Sequence, residues 1–156
     1  MADLYSETVL EHYRRPRNKG RLPNADATAE AANPLCGDVI RFEIAVEGET
    51  IREARFSGDA CAISTAAASI LTGLVFGAPL GDVARITDTQ MIAELKAAIP
   101  PGRMRCAALP LEALRECIMR WAHPVDADSS SRPSVPAVPS PSTPSDVQER
   151  LWPESA

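Results

Sequence analysis

The feature that most constrains the fold is a period-two pattern in residues 39–47, in which every even-numbered side chain is apolar. Ile40, Phe42, Ile44 and Val46 alternate with Arg41, Glu43, Ala45 and Glu47. A period of two predicts a β-strand with one buried face. The Glu-Gly-Glu-Thr sequence of residues 47–50 favours a hairpin turn, so residues 51–56 are expected to return as a second strand. Residues 24–33 are expected to form a weaker third strand, which gives an antiparallel sheet of about three strands.

Apolar residues at three- and four-residue spacing predict the helices that accompany this sheet. The first helix is expected to begin at an Asp3 cap and to end before Pro16. A second helix follows Cys61, a third lies around residues 90–98, and the last runs from about residue 103 to about residue 121.

The segment between Asp59 and Asp82 contains no charged residue. A membrane-spanning helix needs about 20 predominantly apolar residues, and serine, threonine, glycine and proline interrupt this one. We therefore interpret it as a buried core helix and not as a membrane span. The predicted fold class is α+β, a small antiparallel sheet packed on one face by helices.

The composition changes after residue 123. Half of the 14 prolines lie in residues 124–156, together with many serines, and such a segment buries too little apolar surface to fold. We expect a folded domain in residues 1–123 and a disordered, acidic tail in residues 124–156. Of the net charge of −5, only −2 falls on the domain, and aromatic residues make up 4% of the chain. Neither charge nor stacking therefore favours binding to nucleic acid.

The first residues show neither the basic nor the apolar region of a secretory signal, so a cytoplasmic location is expected. In a reducing cytosol, the four cysteines are expected to bind metal or do redox chemistry rather than form disulfides. The chain also lacks a Ser–His–Asp order, a phosphate loop and a paired-glycine fingerprint, so it shows no sign of a hydrolase or a nucleotide-dependent enzyme.

Three cysteines and one aspartate form the candidate site. Cys36 and Asp38 lie two residues apart on a glycine-containing turn, and Cys61 and Cys106 each lie where a helix is expected to begin. Three thiolates and a carboxylate make a complete tetrahedral set for zinc or iron, and the spacing differs from the paired knuckles of a zinc finger. Because Cys61 and Cys106 lie at expected helix starts, and Arg103 and Arg105 lie beside Cys106, we expect lowered pKa values for both thiols.

Other residues with reactive or ionisable side chains are interpreted as structural. Cys117 lies about 16 Å along the last helix from Cys106 and is expected to be a buried, inert thiol. His12 is expected on a solvated helix face and His123 at a helix carboxyl end, and Asp59 is expected to cap the helix that follows it. The basic turn at residues 15–20 is either a solvated loop or a docking surface for an acidic partner.

Five segments in this order resemble the U-type iron–sulfur cluster scaffold family, the group of IscU, SufU and the NifU N-terminal domain. They are residues 4–5, 16–20, 33–38, 58–64 and 103–109, and together they extend over nearly all of residues 1–123. The resemblance implies a SufE/NifU-like fold. It also implies that Cys36, Cys61 and Cys106 are thiolate ligands and Asp38 the fourth ligand of a transient 2Fe–2S cluster, or of Zn2+ or Fe2+ at the same site.

The resemblance further implies partners and a sulfur source. In the family a pyridoxal-phosphate (PLP)-dependent cysteine desulfurase delivers sulfur as a persulfide, and the position of Cys106 accepts it. Apo iron–sulfur proteins then receive the cluster. Residues Ile99–Arg103 resemble the Leu-Pro-Pro-Val-Lys peptide by which IscU engages an Hsp70-type chaperone, although a plain helix break explains the same prolines.

The chain departs from each branch of the family in one respect. The IscU branch has histidine before its third cysteine, where this chain has Arg105, and a guanidinium cannot bind metal. Residues 61–64 and 105–109 are closer to SufU, a zinc-holding sulfur relay, yet Cys106 follows Cys61 by only 45 positions, which leaves no room for the SufU insertion. Three functions therefore stay open: a cluster scaffold, a zinc-dependent sulfurtransferase, or an interaction module with a structural zinc.

Overall fold

The structure is a computed structural model that describes residues 5–123. Its elements in chain order are helix α1 (Glu7–Arg14), strands β1 (Ala27–Asn33), β2 (Asp38–Glu47) and β3 (Thr50–Ser57), helices α2 (Ala62–Val75), α3 (Leu80–Val83) and α4 (Asp88–Glu94), a 3-10 turn (Pro101–Arg103) and helix α5 (Met104–Ala122). The expected tail in residues 124–156 and the Asp3 cap lie outside the described residues.

The three strands form one antiparallel sheet in the order β1-β2-β3, as the alternation predicts. Ile44 at the centre of β2 lies opposite Ala27 of β1 and Ala54 of β3. The even-numbered apolar side chains of β2 point to the core, where Phe42 stacks on Phe56 of β3 with ring centroids 6.4 Å apart. The α+β class predicted from the sequence is therefore confirmed.

Helices cover the apolar face of this sheet. Helix α5 packs across β1 and β2, α2 packs against α5 and β3, and α1 packs on α2. Ile63 and Leu71 of α2 and Leu109 and Leu114 of α5 are fully buried between them. The uncharged segment is thus a core helix, and no helix in residues 5–123 is long and apolar enough to cross a membrane.

Helix boundaries differ from the expectations in two places. Helix α1 begins after Ser6, whose hydroxyl accepts the Val9 N–H at 3.2 Å. The helix expected at residues 90–98 lies at Asp88–Glu94 instead, because Thr87 and Gln90 form a reciprocal capping box at its start. The prolines at residues 100 and 101 do separate it from α5, which begins within a residue of the expected start.

Two expected side-chain roles were wrong. His12 is not simply solvated: its Nδ1 lies 2.7 Å from Oγ of the buried Ser69, and burial and the Arg17 guanidinium lower the pKa of His12. Asp59 does not cap α2, because the cap is Cys61. The carbonyl of Asp59 instead accepts the Val39 N–H at 3.0 Å. His123 does close α5, and its N–H donates to the Met119 carbonyl at 2.8 Å.

Candidate metal centre

The turn between β1 and β2 presents Cys36 and Asp38 to the same side. The carbonyl of Asn33 accepts the N–H groups of Cys36 at 3.3 Å and Gly37 at 2.8 Å, which closes the turn. Gly37 has a φ of 79°, in the left-handed region that glycine adopts without strain. The turn leaves Leu35 91% exposed and sends Asp38, 6% exposed, inward.

The start of α2 is held against the start of β2 by a close backbone approach. A Cβ on Gly58 would lie 2.1 Å from the Val39 carbonyl oxygen, so only glycine fits there. This approach brings Cys61 beside Asp38, whose Oδ1 accepts the Cys61 N–H at 3.0 Å. The Cys61 thiol itself accepts the Ser64 N–H at 3.5 Å and so caps α2.

The start of α5 supplies Cys106, which is 1% exposed. Its Sγ lies 3.7 Å from Sγ of Cys36, and the side-chain amide of Asn33 donates to it at 3.8 Å. Asn33 is itself buried, and its Oδ1 accepts the Leu35 N–H at 3.2 Å. One asparagine therefore fixes both the turn that carries Cys36 and the thiol of Cys106.

These three segments bring most of the expected ligands together. The ligand atoms of Cys36, Asp38 and Cys106 all lie within 4.8 Å of one another. Cys61 is outside that group, but it contacts Asp38 through its N–H, and the charge of its thiol affects Cys106. Soft thiols with one hard carboxylate suit zinc or iron, so the donor set fits the metal that the sequence predicts.

The electrostatics of the site differ from expectation at Cys106. Burial first, and then the hydrogen bonds and charges of the nearby Cys36 and Cys61 thiols, raise the pKa of the Cys106 thiol to about 12. The expected lowering was wrong because the Arg103 and Arg105 residues are exposed to water while the thiol is enclosed. At Asp38, burial opposes ionisation, but hydrogen bonds from the Cys61, Cys36 and Ser64 groups outweigh it and lower the pKa.

Two polar residues of the site had no role in the sequence interpretation. Asn33 and Ser64 are both buried and both contact candidate ligands. A signal for Ser64 exists in its position three residues after Cys61, which is where a capped residue falls at a helix start. The position of Asn33 before Pro34 indicates a turn, but no local signal points to its contact with Cys106, which spans 73 residues.

Cys117 lies apart from this site, as expected. It is fully buried in α5, its thiol donates to the Phe42 carbonyl at 3.1 Å, and burial raises the pKa of the thiol to about 12. Its interpretation as a buried core thiol is confirmed, and its inertness stays a prediction.

The chain is similar in sequence to iron–sulfur scaffold proteins. It is 36% identical over 120 residues to the iron-sulfur cluster assembly scaffold protein IscU of Aquifex aeolicus, and the matched region covers 76% of each chain. It is 34% identical over 123 residues to IscU of Azotobacter vinelandii, covering 76% of this chain and 94% of that protein.

Solved structures share the fold. The N-terminal NifU-like protein of Brucella abortus superposes with a TM-score of 0.66 at 19% identity, over 76% of this chain and 94% of that chain. A putative scaffold protein for the SUF system of Fervidobacterium islandicum gives 0.64 at 23% identity, over 74% and 96%. The family model described as NifU-like N terminal domain matches residues 4–127. The chain therefore belongs to the NifU-like N-terminal domain family of U-type iron–sulfur cluster assembly scaffolds.

Proposed function

We propose that residues 1–123 form a scaffold on which a transient 2Fe–2S cluster is assembled and from which it passes to apo-proteins, in the cytoplasm. The observation that carries this proposal is the gathering of Cys36, Asp38 and Cys106 within 4.8 Å, with Cys61 at their edge. Thiols from three separate segments, joined by one oxygen donor, suit a cargo that must leave again better than a permanent four-cysteine site.

Sulfur is proposed to arrive from a PLP-dependent cysteine desulfurase. The Cys106 sulfur attacks the outer sulfur of the desulfurase persulfide, the S–S bond breaks, and the desulfurase thiolate leaves. The attack needs the Cys106 thiolate, whereas burial raises the pKa of that thiol to about 12. A cation held by Cys36 and Asp38 supplies the charge that favours the thiolate.

Asp38 is proposed to be the exchangeable ligand. A carboxylate holds a thiophilic metal more weakly than a thiolate, so Asp38→Ala is expected to slow release of the cluster. The measurement is the rate of transfer from reconstituted protein to an apo-ferredoxin. Equal transfer rates for variant and wild type contradict this role of Asp38.

A zinc-dependent sulfurtransferase is the second candidate. Arg105 favours it, since this position in IscU carries a histidine and a guanidinium offers the metal no lone pair. In this function Zn2+ on Cys36, Asp38, Cys61 and Cys106 positions the acceptor thiol, and no cluster forms on the protein. Fold, site and desulfurase partner are the same in both candidates.

The peptide Ile99–Arg103 supports a chaperone partner as a further proposal. Ile99 is buried and anchors the segment, while residues 100–103 are exposed in the 3-10 turn before α5. An Hsp70-type chaperone that binds this peptide contacts the chain a few residues before Cys106.

The deciding experiment is anaerobic reconstitution with a cysteine desulfurase, cysteine and ferrous iron, followed by ultraviolet–visible and Mössbauer spectra. Spectra of a 2Fe–2S cluster that Cys36→Ser, Cys61→Ser or Cys106→Ser abolishes support the scaffold, provided the cluster transfers to an apo-ferredoxin. Cys117→Ala is the matched control, because this cysteine lies outside the site and should retain the cluster. Bound zinc without a cluster, together with desulfurase turnover that depends on Cys106, supports the sulfur relay instead.

Chelation separates both candidates from a module with a structural zinc. The sheet and helices share an extensive apolar core that includes no metal ligand except Cys106, so the domain is expected to stay folded without metal. A chelator should leave the far-ultraviolet circular dichroism unchanged. Unfolding on chelation supports the structural zinc.

A further inference from the structure

The Ser64 hydroxyl joins all three segments of the metal centre. Ser64 is fully buried in the first turn of α2. Its Oγ lies 3.0 Å from Oδ2 of Asp38 at the start of β2 and 2.8 Å from the carbonyl oxygen of Cys106 in α5. The Cys61 thiol lies 3.6 Å away on a third side. The hydroxyl therefore contacts groups of three candidate ligands.

The two oxygen acceptors compete for one hydrogen. A serine hydroxyl donates a single hydrogen bond, so Asp38 and the Cys106 carbonyl cannot both receive it at full strength. A carboxylate is the stronger acceptor of the two because its hydrogen bonds are charge-assisted. Charge assistance therefore favours donation to Asp38 while the carboxylate carries no metal, although the Cys106 carbonyl oxygen is the nearer acceptor, at 2.8 Å against 3.0 Å.

Pro110 explains why the Cys106 carbonyl needs a side-chain donor. In a regular α-helix this carbonyl accepts the N–H of the residue four positions on. That residue is Pro110, which lies inside α5 and has no N–H. The Ser64 hydroxyl at 2.8 Å stands where the missing donor would act.

We propose that Ser64 is a positioning residue whose hydroxyl donates to Asp38 in the metal-free site and turns to the Cys106 carbonyl when Asp38 binds metal. This inference rests on the proposed metal site. Both oxygens of Asp38 are engaged in the metal-free protein, one by the Cys61 N–H and the other by Ser64. A metal that binds Asp38 withdraws charge from the carboxylate and so weakens its hydrogen bond with Ser64, which makes metal binding less favourable and keeps Asp38 an exchangeable ligand.

The proposal predicts the direction in which each of two substitutions changes the affinity for metal. Ser64→Ala removes a charge-assisted hydrogen bond from the metal-free state but only a neutral one from the loaded state, so it should tighten metal binding about fivefold. Pro110→Ala supplies the Cys106 carbonyl with an N–H in both states. Ser64 must then share the Cys106 carbonyl with this N–H after Asp38 binds metal, so Pro110→Ala should weaken binding by a few-fold.

The experiment is a Co2+ titration of the metal-free protein, which follows the thiolate-to-cobalt absorption and yields a Kd for the wild type and each variant. Ser64→Ala should lower the Kd and Pro110→Ala should raise it. In the Ser64→Ala background, Pro110→Ala should leave the Kd unchanged, because no hydroxyl remains to be redirected. If Ser64 only stabilised the fold, the effect of Pro110→Ala on the Kd would not depend on whether Ser64 is present.

Ser69→Ala is the matched control. Ser69 is also a fully buried serine of α2, but its hydroxyl accepts the Arg17 N–H at 2.8 Å, away from the site. It should lower stability and leave the Kd unchanged. A Kd for Ser64→Ala that equals or exceeds that of the wild type overturns the proposal, and so do additive effects in the double variant. If Ser64→Ala does not fold, an unchanged or lower Kd for Pro110→Ala overturns it alone.

The same titration separates this inference from the proposed function. If the wild type binds no Co2+, or if Cys36→Ser leaves the Kd unchanged, the metal site itself is wrong and the role of Ser64 falls with it. If the wild type binds and Ser64→Ala has no effect, only the role of Ser64 is wrong.

Discussion

The backbone contact at Gly58 makes the sharpest prediction about the fold that carries the site. Gly58→Ala would place a Cβ 2.1 Å from the Val39 carbonyl oxygen and 3.2 Å from Cα of Ile40. Both contacts are with backbone atoms, so no change of rotamer relieves them. Gly58 also has a φ of +127°, which side-chain-bearing residues rarely adopt. The substitution must therefore move the segment that leads to Cys61 away from β2.

Two terms contribute to the loss of stability. The backbone conformation costs an alanine about 1–3 kcal/mol, and forcing extra volume into a packed contact costs about 1–3 kcal/mol. The hydrogen bond from the Val39 N–H to the Asp59 carbonyl, 3.0 Å long, spans the same approach and should also weaken. We expect the free energy of unfolding to fall by about 4 kcal/mol.

Urea unfolding of the metal-free protein measures this loss, and Gly48→Ala is the matched control. Gly48 also has a positive φ, of 64°, but an added Cβ would meet nothing within 4 Å. Gly48→Ala therefore carries only the conformational term and should cost about 1–2 kcal/mol. If Gly58→Ala proves no more destabilising than Gly48→Ala, the close approach does not hold the start of α2 in place and the reasoning fails.

Two further predictions concern Glu43 and Cys117. Burial opposes ionisation of Glu43, but hydrogen bonds from the Leu22 N–H and two arginines outweigh it and lower the pKa of Glu43. The stability that the ionised carboxylate contributes should be complete above about pH 4.3, the ordinary glutamate pKa. It should be lost as the pH falls through the lowered pKa of the folded protein. Glu43→Gln should therefore cost about 1–3 kcal/mol at neutral pH and reduce the acid-dependent part of the urea-unfolding free energy, whereas an unchanged pH profile would show that Glu43 does not contribute. In the folded, metal-free protein, an alkylating reagent should modify the exposed Cys36 and spare Cys117, because burial raises the pKa of Cys117 to about 12. Labelling is followed by mass spectrometry, and equal rates for the two cysteines would contradict the buried position of Cys117.

The sheet was predictable because its signal is local and repeated. The alternation in residues 39–47 fixes which face of β2 is buried, and a one-residue shift would expose Phe42 and bury Arg41. The hairpin turn then fixes the neighbouring strand. Burial in the structure alternates over the first half of β2, whereas residues 42–45 are all buried because Glu43 and Ala45 are covered as well.

Helix α4 was less predictable because its end carries no sequence signal. The Thr87–Gln90 capping box that starts α4 is readable in the sequence. The chain then leaves the helix near Lys96, which has a φ of +51°. Glycine or asparagine usually marks this left-handed position, and a lysine gives no such indication. The expectation therefore extended the helix to residue 98.

Around Cys106 the residue types predict a candidate ligand set, but the sequence could not predict the electrostatics of the thiol. A local interpretation counts a helix start and two arginines, which favour a thiolate. Tertiary structure adds burial, the Asn33 amide and two further thiols, and burial and the thiols raise the pKa of Cys106. Three thiols this close cannot all ionise without a cation between them. The raised pKa and the predicted metal site are therefore consistent, because the same proximity that disfavours the bare thiolates is what a metal ion requires.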